Sequence, residues 1–109
     1  VHEGPHAISK NNNISFQEGM IVSNEPGYYE KNKFGIRIEN LIYVKKKNKL
    51  KFFENLTLAP IDKDLIDQKI LNKSEKKWIN EYHKKVFNSL KYAMNNSEIL
   101  ELEKACSAI

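Results

Sequence analysis

All four glycines and all three prolines of this 109-residue chain lie within its first 60 residues. From Asp62 on the chain has neither, and helix formers dominate. Punctuation of this kind divides a chain. Residues 1–60 read as short strands and turns, residues 61–109 as a helical extension. The expected fold class is therefore α+β, an antiparallel sheet followed by helices.

Within the first part, Met20-Ile21-Val22 is a short apolar run opened by Gly19, and Ile36 to Val44 alternates like a strand. Between them, Glu30-Lys31-Asn32-Lys33 is polar and turn-prone. The spacing predicts a hairpin with Glu25 and Glu39 about equidistant from its turn. Alternation places Arg37, Glu39 and Leu41 on one face, and Ile21, Ser23 and Glu25 on one face of the partner strand. Two like charges opposite each other repel, so a buried pair needs a positive group: Arg37 or a divalent metal. Pro26 holds the residue before it extended and removes a donor, and Gly27 is expected to let the backbone turn. A surface hairpin with two solvated glutamates satisfies the same spacing, and that reading stays open here.

Size and composition narrow the classes. The chain suffices for one small domain, and 40% hydrophobic with 29% charged residues excludes a disordered or membrane-embedded class by composition. No apolar run approaches the roughly 20 residues that span a bilayer, so no membrane partner is expected. The start, Val1 to His6, lacks the pattern of a signal peptide and an initiator methionine, and reads as the interior of a longer chain. The single cysteine, Cys106, fits a reducing, cytoplasmic compartment. Lysine carries most of the +4 net charge, and Arg37, the only arginine, suggests a bidentate task. Lys45-Lys46-Lys47-Asn48-Lys49 reads as a basic turn guarding a strand edge rather than a nucleic-acid patch, being short and without arginine.

The remaining elements follow from local pattern. Ala7 to Lys10 reads as a brief extended piece, Leu50 to Phe53 as a strand, and Leu56 to Pro60 as another stopped by its proline. Asp62 to Leu71 is a short helix or turn. Asn72-Lys73-Ser74-Glu75 resembles a capping box opening a helix from about Lys73 to Met94, with Trp78, Ile79, Tyr82, Val86, Leu90 and Ala93 as its apolar stripe. Asn95-Asn96 ends it, and Ser97 caps a last helix. His83 is expected at a helix surface or interface, and Cys106 buried or simply near the terminus. Packing is the expected task of this part, with a possible homodimer through its helices.

Three motifs in order, Val1-His2-Glu3-Gly4-Pro5, Gly19 to Tyr29 with Ser23-Asn24-Glu25-Pro26-Gly27, and Phe34-Gly35-Ile36-Arg37-Ile38-Glu39-Asn40, resemble the final part of a Xaa-Pro aminopeptidase (aminopeptidase P) of the pita-bread metallopeptidases. Leu56 to Asp62 and Trp78 to His83 resemble the C-terminal extension of its long, cytosolic-type members, so the likeness covers essentially the whole chain. The resemblance implies a C-terminal part of a pita-bread fold in residues 1–60. It implies two divalent ions, usually Mn²⁺, acting as Lewis acid on peptides with proline second. By position it makes Glu25 a terminal metal ligand that also helps activate water, Glu39 the ligand bridging both metals, and His2 a non-ligand that contacts substrate. Arg37 becomes the arginine among the ligand carboxylates, and Tyr29 falls in the tyrosine-bearing turn. His6 receives no role. The family's two aspartate ligands and one histidine ligand are missing from these residues. The expectation is a fragment inactive alone, completed by an upstream half of the catalytic domain. The alternative is a non-catalytic assembly or binding module that pairs with such a partner.

Overall fold

The computed structural model describes residues 4–109. His2 lies outside the described residues. Two compact units follow one another, the first ending at Thr57 and the second spanning Leu58–Ile109.

The first unit is built on β1 (Ile21–Asn24), β2 (Gly27–Glu30), β3 (Phe34–Arg37), β4 (Asn40–Lys47) and β5 (Leu50–Asn55). A three-stranded antiparallel sheet has the order β1-β4-β5, and β2 and β3 form a two-stranded ribbon. Ile21 pairs with Tyr43 and Asn24 with Asn40, while Gly27 pairs with Arg37 and Glu30 with Phe34. The offset is the same in both, so sheet and ribbon are one long hairpin in a single register. The single strand expected from Ile36 to Val44 is thus interrupted at Ile38 and Glu39. Pro26 explains the break: its carbonyl accepts from Ile38 N–H at 3.1 Å, but it has no N–H for the return bond.

The turn falls where expected, with Asn32 in the left-handed region (φ 61°) and Lys33 N–H donating to Glu30 O at 3.1 Å. Val22, Ile42 and Val44 are the buried apolar residues of the sheet. The basic turn is shorter than expected. Lys45 to Lys47 belong to β4, Lys45 pairs with Glu54 at 2.7 Å, and only Asn48 and Lys49 turn the chain. Ala7 to Lys10 is bent rather than extended, and Asn12 N–H closes back on Ser9 O at 3.3 Å.

In the second unit α1 (Lys73–Leu90) and α2 (Asn96–Ala105) pack Tyr82, Val86 and Leu102 together, with Leu58, Ile61 and Phe87 against them. The capping box at Asn72 forms: its side chain accepts from Ser74 and Glu75 N–H, and Glu75 accepts from Asn72 N–H. α1 stops at Leu90 and tightens into a 3₁₀ turn over Lys91–Ala93, short of the expected Met94. α2 is capped by Asn95, not Ser97, through a second capping box with Glu98. No helix forms over residues 62–71. The Asp62 and Asp67 carboxylates accept from Asp64 and Lys69 N–H instead, leaving turns. Lys63 Nζ donates to the carbonyls of Lys104 and Ser107 at 3.0 and 2.9 Å and to Ser107 Oγ, which places a cation at the C-terminus of α2.

His83 corrects the expectation of a surface or interface histidine. It is 0% exposed, and Nε2 accepts from Ile61 N–H at 3.0 Å. Nδ1 must then carry the proton. Beside it Tyr82 donates to Ala59 O at 2.8 Å, and Asn80 accepts from Ile109 N–H at 3.0 Å. One stretch of α1 therefore ties down both the segment before the helices and the tail after them. Among the described residues no helix is long and apolar enough to cross a membrane.

Candidate metal centre

The break in the hairpin is where the acidic residues sit. Glu25 follows β1 and Glu39 precedes β4, and the common register of sheet and ribbon sets them opposite each other. A solvated pair at this level would splay apart. Instead Arg37 reaches both: Nη1 lies 3.4 Å from Glu25 Oε2, and Nε 3.6 Å from Glu39 Oε2. Ser23 Oγ donates to Glu25 Oε1 at 2.7 Å. The Arg37 side chain is 51% exposed, and those of Glu25 and Glu39 34% and 37%. Ion pairs so open to water contribute about 0–1 kcal/mol. Convergence of three charges at so small a benefit to folding argues for a task other than stability.

Tyr29 lies on the same edge of the hairpin, opposite Gly35. A Cβ on Gly35 would come within 2.6 Å of Tyr29 Cδ1, and one on Gly27 within 2.7 Å of the Tyr29 hydroxyl. The ring therefore lies across two glycines. Gly27 opens β2 rather than making a sharp turn, so its lack of a side chain serves the tyrosine. Strand parity already placed Ser23 beside Glu25, but sequence reasoning gave Gly35 no role; its signal was the same parity, since Gly27, Gly35 and Tyr29 share a face.

A cavity of about 410 Å³ adjoins Glu25, bounded by His6, Ile8, Val22, Asn24 and Pro26 among others. His6 Nε2 lies 3.2 Å from Ile21 O, and its ring meets Phe16 edge-on with centroids 6.3 Å apart. In the second unit, burial pushes the His83 pKa down, helped by the Lys63 charge, while burial pushes the Cys106 thiol up. Both are core groups rather than reactive ones.

Among the described residues no three His, Cys, Asp or Glu side chains are placed to share a metal ion. Glu25 and Glu39 nonetheless suit a hard divalent cation, since both offer carboxylate oxygens from one level of one hairpin.

Known proteins resemble this chain over its whole length. Metallopeptidase family M24 matches residues 1–46, and the C-terminal region of peptidase M24 matches residues 50–109. A probable Xaa-Pro aminopeptidase P of Laccaria bicolor is 43% identical over 100% of this chain and 19% of its own length. One from Pyrenophora teres f. teres is 47% identical over 80% of this chain and 15% of its own. The crystal structure of X-prolyl aminopeptidase from Caenorhabditis elegans, described as a cytosolic enzyme with a di-nuclear active site, superimposes with a TM-score of 0.84 at 32% identity. It covers 100% of this chain and 19% of that one. The expected α+β architecture of a pita-bread aminopeptidase is thus the one observed, in a chain that spans about a fifth of the length of the relatives it matches. With one match on each side of the turn at Asn48 and likeness over the whole fold, the chain belongs to metallopeptidase family M24.

Proposed function

We propose that this chain contributes to the catalytic centre of a Xaa-Pro aminopeptidase that removes the residue preceding a proline. Residues 1–60 belong to the catalytic domain and residues 61–109 to a helical extension. Glu25 is a terminal ligand and Glu39 a bridging ligand of two divalent cations, with Mn²⁺ as the metal. Such a pair of ions supplies Lewis-acid polarisation of the scissile carbonyl and an acidified water.

The chain's own residues do the positioning. Arg37 holds both carboxylates at one level and offsets their repulsion. Ser23 orients Glu25. His2 contacts the substrate, and Glu25 takes a proton from the attacking water. The remaining donors come from an upstream half of the domain, the assembly works in the cytoplasm, and the C-terminal helices join two copies.

The observation that carries this reading is the opposition of Glu25 and Glu39 across one guanidinium. A peptidase assay with Mn²⁺ and a peptide with proline second tests it. The isolated chain is expected to be inactive. The chain assembled with the segment that supplies the other ligands is expected to cleave, and to lose cleavage in Glu25→Gln and Glu39→Gln. Cleavage by the isolated chain, or undiminished cleavage by the Gln variants, refutes it.

The exposed Tyr28, Phe34 and Ile36 of the ribbon favour one other reading, a non-catalytic assembly module. Assembly without cleavage would select it.

A further inference from the structure

We propose that Thr57 is a positioning residue for Glu39, acting through the backbone at the start of β4. The inference rests on the metal-ligand reading of Glu39.

The pairing of β4 with β5 ends at Ile42 opposite Asn55. The next level would join Leu41 to Leu56 by two backbone bonds. One of them forms, from Leu56 N–H to Leu41 O at 2.8 Å. The other is replaced: Leu41 N–H donates to the Thr57 hydroxyl, also at 2.8 Å. Thr57 N–H adds a longer contact to Leu41 O at 3.4 Å. A side-chain oxygen thus stands where a ladder carbonyl would, and lets the chain leave the sheet without orphaning Leu41 N–H. Continued pairing would have set Leu58 opposite Glu39, an apolar residue beside the carboxylate.

The residue between, Asn40, is 8% exposed, and its Nδ2 lies 3.4 Å from Asn55 Oδ1. On the other flank, Ile38 N–H is held by Pro26 O at 3.1 Å. Glu39 therefore has a partly exposed side chain on a backbone tied at Ile38 before it and at Leu41, two residues after it. A metal-ligating carboxylate has this requirement, because its oxygen must stand within about half an ångström of its place. The hydroxyl of Thr57 is the tie that a single substitution can remove without changing the shape of the side chain.

The test uses the chain assembled with the segment that supplies the other ligands. Mn²⁺ affinity is read by calorimetric titration, and the melting temperature is read without metal. Thr57→Val is expected to weaken Mn²⁺ binding by about tenfold, and Thr57→Ser, which keeps the acceptor, to restore it. A purely structural role would lower the melting temperature and leave the affinity unmoved. Wild-type affinity in Thr57→Val, or equal loss in both variants, overturns the proposal. Should Thr57→Val not fold, Thr57→Ala, which also removes the acceptor, decides: weakened binding supports the proposal and unchanged binding overturns it. Glu39→Gln separates the two levels of inference. If it binds Mn²⁺ like wild type, the ligand reading itself fails.

Discussion

Glu25 and Glu39 face each other one level from the Pro26–Ile38 pair, where a continuous hairpin makes one of its two hydrogen bonds, and Arg37 lies within 3.4 Å of one and 3.6 Å of the other. The break originates in Pro26, which accepts from Ile38 N–H but has no donor for the return bond, and the carboxylates one level on share a guanidinium.

Arg37→Lys keeps the charge and loses the fork that reaches both carboxylates. In the assembly completed by the other ligands, it is expected to weaken Mn²⁺ binding by about 10- to 100-fold. The stability of the chain is expected to change by less than about 1 kcal/mol, because these pairs are exposed to solvent. Metal titration and urea unfolding measure the two effects separately. A large loss of stability with unchanged metal affinity would show Arg37 to be structural.

Gly35→Ala puts a methyl group into the Tyr29 ring. The expected cost is about 1–3 kcal/mol, with displaced ring resonances in the proton spectrum. In a Tyr29→Ala background the same change should cost little, since the clash is gone. A double-mutant cycle by urea unfolding checks this, and additivity would count against the seat the two glycines provide.

His83 makes the helical unit sensitive to acid. Burial first, and Lys63 second, lower its pKa from the ordinary histidine value. On acidification below about 6.5 the unfolded chain takes up a proton that the folded one refuses. The unfolded state then binds more protons, so stability rises with pH in that window and is lost as pH falls through it. The slope is at most about 1.4 kcal/mol per pH unit. His83→Gln should remove this component, seen as a flatter pH dependence of the unfolding free energy than in wild type. An identical dependence in both would refute it.

Asn72→Ala removes the acceptor for Ser74 and Glu75 N–H and is expected to cost about 1 kcal/mol. Asn95→Ala removes the corresponding cap of α2 and should cost a similar amount. Ser97→Ala should cost less than Asn95→Ala, because Ser97 lies inside the first turn of α2 and its backbone N–H still donates to Asn95 Oδ1 when the hydroxyl is gone. Thermal unfolding followed by circular dichroism ranks the three.

Much of the architecture was legible in residue order. The loss of glycine and proline after Pro60, the stripe from Trp78 to Leu90 and the Asn72–Glu75 box all act over a few residues, so they can be read locally. The second cap was misplaced by two residues because Asn95 and Ser97 are both good caps, and only the observed backbone chose between them. Of the short helix or turn expected over residues 62–71, the turn formed, because Asp62 and Asp67 captured nearby N–H groups. The Leu56–Pro60 strand failed because residues 56 and 57 fasten to Leu41 and then leave the sheet.

By itself the sequence determined what depends on spacing along the chain: the helical extension, the turn at Asn32, the parity that puts Glu25 and Glu39 on facing strands, and the family motifs they belong to. Only the tertiary structure decided what depends on residues distant in sequence. It brought one arginine to both acids, laid Tyr29 over Gly35, buried His83 against Ile61 and set Thr57 beneath Leu41. Local periodicity specifies which face a side chain occupies, but which group meets it there is settled by packing between segments 6 to 22 residues apart.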